Sequence, residues 1–405
     1  MLINLITFPM RFVSYRAIHA LGHFLGPILY YLIPKFRKRA LSNIALALKL
    51  PNSEIRQLAK ASFANLAITC LEYLKLARET DMSNLVTCIN PETAQKIIDS
   101  GKGIIFFCAH QANWEILFME AGNRMPGIAI GRPIKNARLY KWLISIRERF
   151  GGRIVEPKNA IKESLRALRA GKFVGIVGDQ GMPESSYAFP FFGVRAWTTP
   201  TPAILAHRTG CPIIVATCVR LPVGRYEIHY SDPIWPEADQ PLDQEIKRMM
   251  TQALGLLEES IAQNPDQWLW QHNRWKQETP SNVYYRFRKD PILIIIDNED
   301  QLRHLQTFRE IYPRVLLTLL APKHLISKIH LSDTEIIPYR NPKETLLADY
   351  RFKLVYDLTN SSSISKHYGR LSAFEVLNIP ILQKLANQPT HDLSELLKKA
   401  VCRAP

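Results

Sequence analysis

The stretch Gly103-Ile-Ile-Phe-Phe-Cys-Ala-His-Gln-Ala-Asn-Trp-Glu115 decides how this chain folds and where its chemistry sits. Its apolar half, Gly103 to Ala109, is too short for a helix and reads as a buried strand. Asn113 is a suitable helix N-cap, and the pattern from it to Gly122 is helical. A His and a Glu five positions apart in one regular helix would stand about 140° apart around its axis, so His110 must precede the helix, at the carboxyl end of the strand. Glu115 then falls in the first turn, where the macrodipole favours its charge and its side chain reaches back to the imidazole. Such a pair is a poised general base. The competing reading is a His held by a loop carbonyl and a Glu that only helps cap the helix.

Outward from this stretch the same alternation continues. Gly127 to Gly131, Gly152 to Glu156, Phe173 to Gly178 and Pro212 to Val219 are short apolar runs separated by helical stretches, which predicts an α/β layer with a largely parallel sheet. Arg225-Tyr-Glu-Ile-His-Tyr230 alternates polar and apolar, as an edge or antiparallel strand does, and a long helix from Leu242 to Gln263 closes the unit. Upstream, Ile55, Leu58, Ser62, Leu66, Cys70 and Leu74 fall on one stripe of a helix over 53–78 that should pack on this body. Lys276 to Asn282 is polar and turn-rich, and a linker is expected there. Beyond it, Pro291 to Asp297, Arg314 to Leu320, Glu335 to Pro338 and Lys353 to Asp357 alternate with helical segments and predict a second, smaller doubly wound α/β domain over 290–405.

The first 33 residues are strongly apolar, interrupted by Arg11 and Arg16. The longest run without Lys, Arg, Asp or Glu, Ala17 to Pro34, is 18 residues, at the short end of what spans a bilayer. Lys35-Phe-Arg-Lys-Arg39 follows at once, so residues 1–39 are expected to be a membrane span or interfacial anchor with its basic flank, holding the body at 40–281 on the cytoplasmic face. A net charge of +16 from 52 basic and 36 acidic residues implies an anionic partner. No zinc-finger, helix-turn-helix or single-strand-binding signature accompanies it, so nucleic acid is not expected. The six cysteines form no CxxC pair and no cluster with zinc-like spacing, which predicts reduced thiols, a cytosolic catalytic body and no metal.

The His110-to-Glu115 spacing after a buried strand resembles the catalytic block of the glycerolipid acyltransferase superfamily, and Asn113-Trp-Glu115 resembles its lipid A biosynthesis branch. Gly131-Arg-Pro-Ile-Lys-Asn136, Ile146-Arg-Glu-Arg-Phe-Gly151, Gly178-Asp-Gln180, Phe189-Pro-Phe-Phe-Gly193 with Thr198-Thr-Pro200, and Gln267 to Trp275 resemble later blocks of that branch, in order. The resemblance runs from about Lys38 to Pro280. Gly181 stands where an acidic residue often follows the Asp-Gln pair. Leu358 to Ile364 and Leu371 to Pro380 weakly resemble the nucleotide-sugar half of heptosyltransferase-like enzymes, a match too loose to carry an activity; for this extension a role in binding or orienting a partner is expected.

The resemblance implies transfer of an acyl group from acyl carrier protein, a thioester co-substrate, to a hydroxyl of a lipid A precursor at the inner membrane, with no resident cofactor. A hydroxyl needs a base in contact during attack. His110 is expected to be that base, with Glu115 fixing its tautomer. No Gly-x-Ser-x-Gly elbow is present, so the acceptor attacks directly. Arg132, Asn136, Arg147, Arg149 and Asp179 are the expected substrate-binding residues, the guanidinium groups suiting phosphate. The loop Gln180 to Thr199 brings aromatic residues that wall an acyl channel or fill core. Two alternatives stand beside this: acylation of another glycolipid or a phosphoglycerol from acyl-CoA, and a catalytically inactive membrane scaffold. A truncation near Asn282 is expected to keep catalysis.

Overall fold

The computed structural model describes residues 8–10, 12–181, 187–237, 239–359, 361–387, 390 and 392–403. Residues 1–7 and Arg11 of the apolar N-terminal segment, 182–186 of the aromatic loop and Asn360 lie outside these. The chain divides into two compact units, Met1–Leu32 with Lys60–Leu269, and Ile33–Ala59 with Trp270–Pro405.

The first unit is built on seven strands: β1 (Val86–Ile89), β2 (Ile104–Cys108), β3 (Gly127–Ile130), β4 (Gly152–Val155), β5 (Phe173–Val177), β8 (Ile213–Leu221) and β9 (Arg225–Tyr230), in the order β1-β9-β8-β2-β5-β3-β4. Every neighbouring pair is parallel except β8 with β9. All five residues of the central strand β2 are buried, which is why it reads as one continuous apolar run. Among the helices, α1 (Tyr15–Leu32) and α3 (Asn52–Leu76) precede β1, α4 (Pro91–Asp99) follows it, and α5 (Trp114–Arg124), α6 (Ala137–Arg147), α7 (Ala160–Arg169), α8 (Thr201–Thr209) and α9 (Leu242–Gln263) connect or close the sheet; α2 (Pro34–Ala47) belongs to the other unit.

For this unit two open readings are decided and one expectation is corrected. Arg225–Tyr230 takes the antiparallel of its two readings: it pairs antiparallel with β8, and β1 covers its other side, so it is no sheet edge; the four residues of β1, Val-Thr-Cys-Ile, none of them buried, carry too little periodicity to announce that strand. The aromatic loop contains a hairpin of β6 (Tyr187–Phe191) and β7 (Val194–Thr198), turned by Phe192 and Gly193, both at positive φ. Its Phe189, Phe191 and Trp197 are buried, so they fill core instead of walling an open channel. In α3, Cys70 is exposed and Leu66 and Leu74 are half-buried, whereas Phe63, Ala64, Asn65, Ile68, Thr69 and Glu72 are buried. The simple stripe fails because this helix is covered on two sides. On one of them α1 lies so close that a Cβ on Gly26 would stand 2.4 Å from the Ala64 Cα. Among the described residues no single helix is long and apolar enough to cross a membrane; α1 and α2 pass that test only together, as a pair bent at Ile33.

The second unit holds a five-stranded parallel sheet of β10 (Ile292–Ile295), β11 (Leu317–Pro322), β12 (Thr334–Tyr339), β13 (Leu354–Asp357) and β14 (Glu375–Asn378), ordered β12-β11-β10-β13-β14. Ile292 and Ile294 face one core, Leu293 and Ile295 the other, so β10 needs apolar residues at every position. Helices α10 (Leu305–Ile311), α11 (Ser362–Arg370), α12 (Ile379–Ala386) and α13 (Leu393–Val401) belong to it, and so does α2. Asn43 donates to the carbonyls of Trp270 (2.9 Å) and His272 (2.5 Å), and Ser42 to that of Arg351 (2.5 Å). The buried Lys353 Nζ donates to Asn43 (3.1 Å) and Asn273 (3.3 Å). The basic segment 35–39 and the turn-rich segment 276–282 therefore both lie inside this unit.

Candidate active site

Strand β2 delivers His110 to the carboxyl edge of the sheet, and its parallel neighbour β5 delivers Asp179 to the same place. The pairing of Cys108 with Val177, continued by the Gly178 amide on the Cys108 carbonyl (2.9 Å), puts the two side chains on adjacent strand ends. Gly178 is required there, since a Cβ would stand 2.2 Å from the Phe107 ring. Asp179 accepts from the His110 backbone amide (3.0 Å), from His110 Nδ1 (2.7 Å) and from the Trp268 indole (2.9 Å). Burial opposes ionisation of this carboxyl, but the imidazole and these hydrogen bonds hold it well below the usual carboxylate range. An ionised carboxylate only accepts, so Nδ1 carries the proton and Nε2 the lone pair. Nε2 makes no hydrogen bond among the described residues, and the imidazole is 22% exposed. Burial disfavours the charged imidazole as well, yet Asp179 outweighs it and raises the His110 pKa above the ordinary histidine value.

Glu115 does not hold the imidazole, contrary to the expectation. Its carboxylate is gripped at both oxygens by Arg147 (2.7 and 2.6 Å) and also accepts from Tyr73 and from the Trp114 indole (3.0 Å). The first turn of α5 points Glu115 away from the strand end, towards α6, while Trp114 meets the His110 ring edge-on at 4.9 Å. Arg147 thus comes to the site as the partner of Glu115. Its guanidinium passes 3.8 Å from where a Cβ on Gly131 would stand, which brings the loop carrying Arg132 alongside; Arg132 itself is exposed. Asn136 is exposed and caps α6 by accepting from Leu139 (3.1 Å). Arg149 points elsewhere, donating to the carbonyls of Ala77 (2.5 Å) and Glu79 (3.0 Å). Among the described residues no three His, Cys, Asp or Glu side chains gather as a metal set.

The loop from His110 to Asn113 is held from behind. Ala112 sits at φ +48°, unfavourable for a residue with a Cβ. Its amide donates to the Gln267 carbonyl (2.7 Å), its own carbonyl accepts from Thr69 (2.8 Å), and Leu269 donates to the His110 carbonyl (3.0 Å). Asn113 caps α5 through its oxygen and donates its amide to Glu72 (3.0 Å). Glu72 also receives His19 (2.9 Å), Arg220 (3.2 Å) and Tyr226. Burial resists its charge, but Arg220 and these donors hold its carboxyl below the ordinary value. Sequence reasoning missed Tyr73, Glu72, Arg220 and Trp268. Trp268 lies in the Gln267 to Trp275 block, but its role follows only from the need of a buried indole for an acceptor. Nothing local marks Glu72 and Arg220, which lie 148 residues apart.

Beside Trp114 a small apolar cavity of about 40 Å³ lies under α5, lined by Phe106, Cys108, Leu117, Phe118 and Val177 among others. A histidine held by a carboxylate at a strand end, an adjoining Glu–Arg pair and apolar surface lie together here. The family model for bacterial lipid A biosynthesis acyltransferases matches residues 1–277. This chain belongs to that family. It is 25% identical over 287 residues to the lipid A biosynthesis lauroyltransferase of Escherichia coli K12, covering 68% of this chain and 90% of that protein. It is 27% identical over 180 residues both to the lipid A biosynthesis palmitoleoyltransferase of the same organism and to a lipid A biosynthesis acyltransferase of Shigella flexneri, in each case 43% of this chain and 56% of the relative. As an O-acyltransferase of this family, the chain keeps the His110-to-Glu115 block within the matched region, whereas the sheet of β10 to β14 lies beyond it.

Proposed function

We propose that this acyltransferase moves a fatty acyl chain from acyl carrier protein to a hydroxyl of a lipid A precursor, at the cytoplasmic face of the inner membrane, with His110 as general base. The observation that carries this is the 2.7 Å contact of Asp179 with His110 Nδ1, which leaves Nε2 as the acceptor of a proton. The acceptor hydroxyl gives its proton to Nε2 as its oxygen attacks the thioester carbonyl carbon. The tetrahedral adduct then collapses, the carbon–sulfur bond breaks, and the imidazolium returns the proton to the leaving thiolate. Asp179 stabilises the imidazolium while it exists, the part played by the third member of a serine-protease triad. Glu115 holds Arg147, and the exposed Arg132, in the loop beside Arg147, is suited to a phosphate of the acceptor. The cavity under α5 would seat the end of the acyl chain after Trp114 shifts, since as it stands it is too small for one. The extension over 290–405 is proposed to be a separate doubly wound domain that binds or orients a partner.

The test is purified protein offered acyl carrier protein and CoA thioesters with several acceptors. Transfer to the lipid A precursor from the carrier protein, abolished in folded His110→Ala, is expected. Wild-type rates in that variant would sink the base assignment, and transfer from CoA alone would change the donor.

A further inference from the structure

Helix α7 and the turn before it carry a strip of positive charge that the proposed reaction leaves unused, all of it within the first unit. Ala160, Ser164, Ala167 and Leu168 are buried and hold the helix to the body. The outward side exposes Lys158, Lys162, Arg166 and Arg169, each one helical turn from the next. They border an open groove of about 780 Å³ that is lined also by Ile161 and Leu165. From Arg153 to Lys172 six basic residues stand against two acidic ones, Glu156 and Glu163. Glu163 is already held by Arg153 (2.7 Å) and Arg166 (2.9 Å), whereas Lys158, Lys162 and Arg169 form no ion pair among the described residues.

Its place in the fold ties this strip to the site. Strands β2, β5, β3 and β4 are parallel neighbours in that order, so their carboxyl ends share one edge. His110 follows β2 at that edge and Lys158 follows β4, three strand spacings or about 14 Å along it. We infer that the α7 groove is the docking surface for acyl carrier protein, with an acidic helix of the carrier laid along the strip and its thioester arm reaching over the edge to His110. This rests on the carrier-donor reading and adds the surface that reading needs. Cations without partners attract a carrier whose surface is acidic, and they fix its orientation. A second copy of the chain paired through this face would set cation against cation. An anionic bilayer fits less well, because a helix that enters lipid presents a broad apolar face. Here Leu165 is half-buried, and Ile161, 42% exposed, is the one large apolar side chain exposed in the strip. A groove rimmed by cations is filled by a rod-shaped acidic partner better than by a flat surface.

The experiment measures, by fluorescence anisotropy, binding of labelled holo-acyl carrier protein without an acyl chain to the full-length protein in detergent. Lys162→Glu with Arg169→Glu is expected to raise the dissociation constant at least tenfold. The KM for acylated carrier should rise by a similar factor, with kcat and the unfolding midpoint unchanged; if the pair lowers that midpoint, Lys162→Gln with Arg169→Gln serves. Wild-type affinity should fall steeply with added salt, and that of the variant less so. Undiminished carrier binding in the folded variant overturns the docking, as does a wild type that binds no carrier. Flotation with vesicles of phosphatidylethanolamine and phosphatidylglycerol lost in the variant, at unchanged carrier affinity, means that the strip meets lipid and overturns it too. Carrier binding lost on substitution while the wild type transfers nothing from the carrier fells the reaction reading and leaves the docking standing. Transfer by the variant at unchanged KM does the reverse.

Discussion

Under the proposed reaction His110 acts as a base only while Nδ1 keeps its proton, and the 2.7 Å contact with Asp179 favours that tautomer. Asp179→Asn removes the charge that raises the imidazole pKa and leaves burial, which lowers it. The rising limb of the pH–rate profile, where His110 becomes neutral, should move to lower pH, while the plateau falls about 10²–10⁴-fold. An unmoved limb in a folded variant would mean that Asp179 does not act on His110. Glu115 makes a different prediction. Glu115→Gln strands Arg147, whose side chain is 20% exposed, and a half-broken pair of this kind costs of order 3 kcal/mol. Denaturant unfolding should show that loss, and Glu115→Gln with Arg147→Met should recover part of it, because no charge is then left unpaired. The pH–rate limb of Glu115→Gln should move to lower pH as well, but less far than that of Asp179→Asn, because Asp179 raises the imidazole pKa more than Glu115 does.

Among elements, the contact of α1 with α3 is the tightest to test. Any Cβ on Gly26 meets the backbone of Ala64, which cannot swing aside as a side chain can. Gly26→Ala should cost about 1–3 kcal/mol, read as a lower unfolding midpoint; no change would mean that the two helices are not closely packed. The β6–β7 hairpin has a comparable supporting role. Phe191 packs on Trp268 with ring centroids 5.8 Å apart, and Trp268 donates to Asp179, so the hairpin backs the carboxylate.

At the scale of the molecule, a truncation after Asn282 looks harmless in sequence, because the family match ends at 277. Helix α2 changes that expectation, since its buried Ala40, Leu41 and Ile44 and its Asn43 and Ser42 belong to the unit that would be removed. The truncated chain should be aggregation-prone or unstable, checked by its solubility and unfolding; a soluble, stable and active fragment would contradict this. Acid sensitivity follows from the two carboxyls held low. The folded pKa values of Glu72 and Asp179 lie below their unfolded values. Their stabilisation is therefore complete above the unfolded values and is lost as pH falls through the folded ones. Glu72→Gln should be less stable at neutral pH and lose less stability on acidification.

The sequence by itself determined the α/β alternation of both sheets, the placement of His110 at a strand end, the N-cap at Asn113 and the long closing helix. These are properties of periodicity and capping over a few neighbouring residues, and the side chains announce them locally. The family was legible too, because the order of short blocks survives where the folded context does not show. Only the tertiary structure decided which carboxylate meets the imidazole. Glu115 is five residues from His110 and Asp179 is 69 away, yet adjacency of parallel strands brings the distant one into contact while the near one is turned aside by the helix. It also decided that α2 belongs with the C-terminal sheet and that α1 has one face for protein. Pairing across a sheet and burial on a helix face depend on what arrives from elsewhere in the chain, and no local pattern carries that.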